Sequence, residues 1–477
     1  MNPIRILLQR ATKERPILML LADFPDVPAE GFEAQLPAWR PGRYELGNFA
    51  QNVYSVDGQQ SDGTWVRLLK SDLHRWTVPT GIKRLRWMVY AEELNAGSTC
   101  VEDDLLFVNP VNCFLYDPKR PELPFEILLN DVQEDWQVAT ALQRKGMLLV
   151  AKDVQEVMDS PIMAAKSLWH RTYEVRGHAF HLWAYGQQLP DEERFVNDHQ
   201  RFTEAQIEAF GSFPVPEYHF LYLFPERDVR HGVEHEASTV IAMGPSEKVR
   251  TEEGYMEVIG IASHELYHTW NVKKIRPSEW LPYDFTQACP SRLGYVAEGV
   301  TTYMGDLFLL ESGIIDVDGW CRLMERLLDK HYNNPGRLNL SVAESSYDTW
   351  LDGYKPGVPE RKSNIYVEGA VLAFICDVAI MDKTGGNMSL QTAMTNLWER
   401  IGMQGIGLTE NIYWAALDQC VGEVGGLATV RGAFCNGTGD TWIVLRAALK
   451  SQGIELSRSQ DEQGVWRTRL ERVAVEA

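Results

Sequence analysis

The run HELYH, from His264 to His268, constrains this chain more than any other feature of its sequence. Two histidines four residues apart on a helix point the same way, one turn above the other. Two imidazoles placed in this way can meet one zinc ion, and Glu265 then lies where it can take a proton from a zinc-bound water. The alternative, a surface helix with two solvated histidines, stays open until a third ligand is found.

The sequence around HELYH predicts two helices. TEEGYMEVIGIASHELYHTW begins at Thr251 with acidic residues in its first turn, and its continuation stops by Pro277 at the latest. The segment SRLGYVAEGVTTYMGDLFLLESG has apolar residues at three- and four-residue steps and a stop at Gly313. We therefore expect a second helix that can pack beside the first.

Glu298, on this second helix, is the candidate for the third ligand. A catalytic zinc takes three protein ligands and keeps one position open for water. The helix is otherwise apolar, so a lone carboxylate is costly to bury, and pairing with zinc removes that cost. The alternative is a partly exposed glutamate near the helix start. Thr302, one turn later on the same face, could hydrogen-bond a ligand.

Composition and charge exclude some classes of partner. The net charge of the 477 residues is −20, so no basic surplus exists for a nucleic acid or for an anionic membrane surface. The seven cysteines include no CxxC pair, which favours free thiols in a reducing compartment. The start has no secretory pattern, and the longest apolar stretch is too short for a bilayer. We expect a cytoplasmic protein with no membrane partner.

A family resemblance extends these expectations. HELYHTWNVKKIRP, followed by YVAEGVTTYMGDLFL, resembles the glycyl aminopeptidase family of zinc metallopeptidases (gluzincins), whose signature runs HExxHxWNVKRIRP before a VAEGFTSYY-like helix. Further similar segments are LPAWRPGRYELGNFAQNV (residues 36–53), HGVEHEAST (231–239), and SSYDTWLDGYKPG with SNIYVEGAVLAF (345–374). The resemblance covers residues 30 to 450.

The resemblance implies an α+β multidomain fold. It predicts an N-terminal β-sandwich-like domain (residues 1–165), a thermolysin-like zinc peptidase domain (166–325) and a C-terminal helical region (326–477). The strand-like texture of the first part and the helical texture of the last agree with this order. We expect no C-terminal PDZ domain, because fewer than about thirty residues follow Leu449.

The implied reaction is the zinc-dependent removal of N-terminal residues, often glycine or alanine, from peptides. The resemblance makes His264, His268 and Glu298 the ligands of one zinc ion per chain. It makes Glu265 the general base that takes a proton from the zinc-activated water. The substrate is a peptide with a free N-terminus. No feature of the sequence indicates an oligomeric state.

Two further roles rest on the resemblance alone. Glu234 in HGVEH would bind the free α-amino group of the substrate, and Tyr366 in IYVEG would donate to the oxyanion. Without the family, Glu234 reads as part of a surface salt bridge and Tyr366 as a core aromatic. The chain also departs from the family: His231 replaces a glycine, and Glu368 replaces a lysine.

Two other functions stay open at this point. The chain could be a peptide-binding protein that keeps the fold with impaired catalysis, for which the two departures are the only hints. It could also be a zinc hydrolase of a non-peptide substrate, because the same water activation serves esters or epoxides.

Overall fold

The computed structural model describes residues 1–130, 132–133, 135–355 and 357–473. The chain forms two compact units. The first, which we call the β unit, consists of Met1–Val196, Val215–Val258 and Pro282–Ala288. The second, which we call the helical unit, consists of Asn197–Pro214, Ile259–Leu281 and Cys289–Ala477. The predicted order, with β structure first and helices later, is confirmed, and the three-domain boundaries stay a prediction.

The largest sheet of the β unit has eight strands. Burial alternates along its central strands, as in Ile4–Arg10, where Ile4, Ile6 and Leu8 are buried. Such alternation is typical of a sheet with one face on a core. In spatial order the strands are Gln143–Lys145, Leu148–Ala151, Phe125–Leu129, Ile4–Arg10, Ile17–Asp23, Arg84–Tyr90, Val53–Gln59 and Trp65–Arg67.

Three smaller sheets complete the β unit. A three-stranded sheet has the order Phe32–Gln35, Arg75–Val78, Lys70–Asp72. A four-stranded sheet has the order Gln137–Ala139, Ile162–Ala165, Leu105–Val108, Cys100–Val101. A five-stranded sheet has the order Trp169–Val175, His178–Gly186, Glu217–Phe224, Ser238–Gly244, Val229–Glu234. The last two share an apolar core, in which Phe107 and Met163 meet Leu221 and Val240.

The five-stranded sheet mixes two directions of pairing. His178–Gly186, Glu217–Phe224 and Ser238–Gly244 are parallel, while the two outer strands run antiparallel to their neighbours. Glu217–Phe224 is buried along nearly its whole length, as expected for a central parallel strand covered on both faces. Val229–Glu234 is the edge strand at one side.

Helices dominate the later part of the chain. The α-helices are Val154–Met158, Glu192–Phe210, Glu252–Tyr267, Thr301–Glu311, Val317–Tyr332, Val342–Asp352, Ile365–Thr384, Leu390–Leu397, Glu410–Val421, Ala428–Val430 and Trp442–Ser451. Three segments in the described part of the chain are π-helical: Tyr295–Val300, Trp398–Gly402 and Arg431–Cys435. The strands Ile454–Gln460 and Trp466–Arg472 form a hairpin in the helical unit. Among the described residues, no helix is long and apolar enough to cross a membrane.

Candidate metal centre and substrate-binding residues

The helix predicted around HELYH is present as Glu252–Tyr267, which we call the motif helix, and His268 lies in the turn that directly follows it. Thr251 caps its start, because its hydroxyl accepts the Gly254 N–H at 3.1 Å. Glu252 and Glu253 lie in the first turn, where carboxylates stabilise the positive end of the helix dipole. The predicted helix start is therefore confirmed.

The second predicted helix contains an irregularity. Tyr295–Val300 is π-helical and continues as the α-helix Thr301–Glu311. Because π-helical turns are rare and are frequently found at functional sites, the position of Glu298 inside one supports a functional role. All six residues of this turn are buried, Glu298 among them. The apolar stripe predicted a helix but gave no sign of the wider turn.

Glycines bring the helices around the centre into backbone contact. A Cβ on Gly299 would lie 2.3 Å from Cα of Gly369, and one on Gly305 would lie 3.0 Å from Cα of His264. The Ser263 hydroxyl also donates to the Gly305 carbonyl at 2.8 Å. The segment that carries Glu298 is thereby fixed against both the motif helix and the helix Ile365–Thr384.

The three predicted zinc ligands converge. Nε2 of His264 lies 2.9 Å from Nε2 of His268, and Oε2 of Glu298 lies 3.7 Å from the first and 3.4 Å from the second. Zinc binds such atoms at about 2.0–2.2 Å, so two ligand atoms of a tetrahedral site lie about 3.4 Å apart. The three separations scatter around that value. The donor set and its spacing therefore fit one zinc ion.

The second nitrogen of His268 is held by the protein. Nδ1 donates to the Asn271 carbonyl at 2.8 Å and lies 3.4 Å from Oγ1 of Thr301. The Asn271 side chain in turn donates to Oγ1 of Thr301 at 3.0 Å. A proton on Nδ1 leaves the Nε2 lone pair free for a metal. The expectation for Thr302 is corrected to Thr301, whose Oγ1 is the hydroxyl that contacts the ligand His268.

The two carboxylates of the centre are both buried. Burial by itself raises the pKa of Glu298, but the positive charges of His268 and His264 and their hydrogen bonds outweigh it and hold this pKa below its ordinary value. An oxygen of Glu265 lies within 4.8 Å of a ring nitrogen of His268. The predicted base is thus next to the predicted ligands.

Tyr366 lies in the first turn of the helix Ile365–Thr384. The Asn364 side chain caps this helix by accepting the Tyr366 N–H at 3.0 Å. The Tyr366 hydroxyl lies 3.4 Å from that of Tyr354. One turn later, Gly369 makes the backbone contact with Gly299, next to Glu298. The role of Tyr366 as oxyanion donor stays a prediction.

Glu368, the first departure from the family pattern, forms a buried pair. Its Oε2 accepts from Nδ1 of His331 at 2.8 Å, and Nε2 of His331 lies 2.7 Å from Oγ1 of Thr441. The His331 side chain is almost fully buried. Glu368 therefore links its own helix to Val317–Tyr332 inside the helical unit.

Glu234 ends the edge strand Val229–Glu234 of the β unit and is buried. A Cβ on Gly42 would lie 2.3 Å from Oε2 of Glu234, so the backbone of Gly42 packs directly against this carboxylate. Among the described residues, Oε1 of Glu234 has no hydrogen-bond partner. A buried carboxylate oxygen without a partner is costly, and an ammonium group from a substrate would remove that cost.

A tight turn places Gly42 against Glu234. Arg43 N–H donates to the Arg40 carbonyl at 3.3 Å, and Gly42 has φ of +75°. Pro41 and Gly42 thus occupy the central positions of a type II turn, whose third residue needs positive φ. Gly42 is required twice here, for its conformation and for its missing Cβ.

His231, the second departure, links this turn to a neighbouring loop. Arg40 Nη2 donates to Nε2 of His231 at 3.3 Å, which leaves the proton on Nδ1 for Oδ1 of Asn95, also at 3.3 Å. Burial and the charges of Arg40 and Arg43 lower the pKa of His231 to about 3. His231 is therefore a neutral link in a polar network and adds no charge beside Glu234.

Two family models match this chain. The model of the M61 glycyl aminopeptidases matches residues 257–372, and the model of the peptidase M61 N-terminal domain matches residues 12–166. The chain belongs to the M61 glycyl aminopeptidase family. The assignment makes it a member of a peptidase family, and the matched regions include the motif helix from residue 257 onward, Glu298 and Tyr366. The comparison with curated proteins gives no match.

Solved structures show the fold of this M61 chain. An aminopeptidase N family protein from Idiomarina loihiensis is 22% identical with a TM-score of 0.88, over 97% of this chain and 81% of that one. The M1 zinc metallopeptidase of Deinococcus radiodurans is 14% identical with a TM-score of 0.52, over 90% of this chain and 92% of that one. A Tyr-Ser-Ala substrate complex of the same enzyme has a TM-score of 0.50 at 14% identity, with the same coverage.

Proposed function

We propose that this chain is a zinc-dependent aminopeptidase that removes N-terminal residues, preferably small ones such as glycine and alanine, from peptides with a free N-terminus. The observation that carries the proposal is the convergence of His264, His268 and Glu298 at separations that suit one zinc ion. Family membership supports peptide chemistry. All seven cysteines are buried free thiols, which agrees with a cytoplasmic location.

His264, His268 and Glu298 would hold the single zinc ion of the chain. When bound, zinc supplies a Lewis acid that lowers the pKa of a coordinated water to about 7 and stabilises developing negative charge. Glu265 is the general base: its carboxylate accepts a proton and later delivers it to the leaving amine. Burial keeps bulk water from competing for that proton.

Glu234 and Tyr366 convert water activation into aminopeptidase chemistry. The Glu234 carboxylate pairs with the substrate ammonium, which fixes the distance from the chain end to the bond that is cut. Its unpaired Oε1 supports this role. The Tyr366 hydroxyl donates a hydrogen bond to the oxyanion that forms at the scissile carbonyl.

The structure gives no support to a peptide-binding protein that has lost catalysis. The two departures that hinted at it, His231 and Glu368, are each engaged by polar partners within their own unit. The proximity of His264, His268 and Glu298, with Glu265 beside His268, supports a catalytic role instead. The buried carboxylate of Glu234 favours a substrate with a free amino group over a non-peptide substrate that lacks one.

Matched free and N-acetylated substrates test the proposal. We expect the zinc-loaded protein to cleave glycyl and alanyl anilides and to leave their N-acetyl counterparts intact. Glu234→Ala should raise KM for the free substrates by about 10–100-fold, the value of a hydrogen bond to a charged group. Asp228→Ala, which removes an exposed carboxylate of the same unit, is the control and should change little. Equal cleavage of free and acetylated substrates would contradict an aminopeptidase.

A further inference from the structure

A second set of metal-binding side chains lies on the five-stranded sheet of the β unit. We call it the strand cluster: His170, His181, His219 and Glu217. His181 is directly opposite His219 in the parallel pairing and opposite Thr172 in the antiparallel one. Side chains two residues apart on a strand share a face, so His170 and Glu217 lie on the same face as this pair. The four side chains therefore meet on one surface of three neighbouring strands.

The distances within the strand cluster suit a shared ion. A ring nitrogen of His181, a ring nitrogen of His219 and a carboxylate oxygen of Glu217 all lie within 4.8 Å of one another. Nε2 of His170 lies 3.2 Å from Nδ1 of His181. His219 is buried, His181 and His170 are half-buried, and Glu217 is exposed. The cluster thus has a fixed base and a side open to solvent.

The histidines of the strand cluster are in the form that metals bind. Burial, and to a lesser degree the charges of His181 and His170, lower the pKa of His219 to about 3. Burial and the charge of His181 lower the pKa of His170 to about 4, and burial lowers that of His181. Neutral imidazoles offer a lone pair without first losing a proton.

We propose that His181, His219 and Glu217 form a binding site for a divalent transition-metal ion of the zinc class, separate in sequence from the HELYH centre. Two imidazoles and one carboxylate are a donor set that such ions accept. His170 orients His181: when Nδ1 of His181 donates its proton to Nε2 of His170, 3.2 Å away, Nε2 of His181 keeps its lone pair for the ion. The open side provides room for water as the remaining ligand.

Binding requires a local rearrangement. The rings of His181 and His219 stack 4.6 Å apart with 9° between their planes. Because each lone pair lies in its ring plane, one ring must turn for both to reach the same ion. In addition, Trp183 Nε1 donates to Nδ1 of His219 at 3.2 Å, which keeps the proton on Nε2. An ion at Nε2 must break this bond, so the site binds more weakly than the HELYH centre.

Zinc titration of the full chain tests the site. After treatment with a chelator, the wild-type protein should bind two equivalents of Zn²⁺, one tightly and one more weakly. His181→Gln should weaken the second equivalent at least tenfold and leave the first unchanged. The matched control is His178→Gln, three residues earlier on the same strand and therefore on its opposite face, which should alter neither.

Two variants guard against misfolding and against non-specific binding. Glu217→Ala removes an exposed side chain and should weaken the second equivalent severalfold without loss of structure. Trp183→Phe removes the competing donor and should tighten the second equivalent. Zinc binding should change the fluorescence of Trp183 in the wild-type protein, and this change should be absent from the variant. A single equivalent in the wild-type protein, or equal second-site affinity in His181→Gln, would overturn the proposal.

Discussion

The HELYH centre and the strand cluster are assembled in different ways. In the HELYH centre, the motif helix supplies His264, His268 follows directly after its last residue, and a packed second segment supplies Glu298. In the strand cluster, three strands supply one histidine each. Ligands one helical turn apart have a fixed local spacing in the sequence, whereas ligands on different paired strands have no such spacing. Only the first cluster is therefore visible before the fold is known.

The two clusters also differ in what holds the ligands. Asn271 and Thr301 fix Nδ1 of His268, so Nε2 is ready for a metal. In the strand cluster, Trp183 occupies Nδ1 of His219 and favours the wrong tautomer for binding through Nε2. Preorganised ligands lose less free energy on binding. We therefore expect a tight site on the helices and a weaker one on the strands.

Removal of one ligand of the HELYH centre should widen or narrow the difference between the two clusters more than any other change. His264 is the most exposed of the three ligands, so His264→Ala perturbs folding least. Loss of a side chain that hydrogen-bonds a metal ligand lowers metal affinity about 10–100-fold. Loss of the ligand His264 itself should lower zinc affinity at the HELYH centre by more than this, and hydrolysis should vanish. Equilibrium dialysis should still detect the weaker equivalent. Loss of both equivalents together would show that the clusters are not independent.

Loss of the Thr301 hydroxyl should have an intermediate effect. Thr301→Val removes the acceptor for the Asn271 side chain and the contact with His268, while the side-chain shape is kept. Zinc affinity of the HELYH centre should fall about 10–100-fold. Thr301→Ser keeps the hydroxyl and is the control, with affinity near that of the parent. A competition assay with a fluorescent chelator measures the zinc affinities of both variants. If Thr301→Val binds zinc as tightly as the parent, the Thr301 hydroxyl does not help to position His268.

A methyl group at the contact between Gly299 and the helix Ile365–Thr384 should have the smallest effect, and this effect is on stability. Gly299→Ala forces a Cβ into the backbone of Gly369 and should cost about 1–3 kcal/mol of unfolding free energy. Gly260→Ala is matched to it, because Gly260 lies on the motif helix with open space at its Cβ position. That change should stabilise the protein by about 0.5–1 kcal/mol. Urea unfolding separates the two, and similar values would mean that the crossing is not close-packed.

Local patterns allowed much of the HELYH centre to be predicted. The histidine spacing, the cap at Thr251 and the apolar stripe around Glu298 are each set within a few turns of helix. Thr301 and Asn271 were missed because their roles depend on the packing of two segments. The π-helical turn was missed because apolar periodicity does not distinguish it from an α-helix.

Contacts in the β unit were harder to foresee. The Pro41–Gly42 turn depends on local residues, since proline and glycine set a turn by their own backbone preferences. Its contact with Glu234 joins segments almost two hundred residues apart in sequence, and no local signal records it. The same holds for the strand cluster, because the register of strand pairing, which the sequence does not give, brings its side chains together. Side-chain networks such as His231 with Arg40 belong to this class as well.

The most direct test of the central claim is Glu265→Gln, which preserves the shape of the side chain and removes its basicity. Zinc content at the HELYH centre and hydrolysis of an alanyl anilide should be measured on the same preparation. We expect zinc to be retained and kcat to fall about 10²–10⁴-fold, the usual contribution of a general base. A variant that retains its zinc and cleaves as fast as the parent would contradict the proposed mechanism.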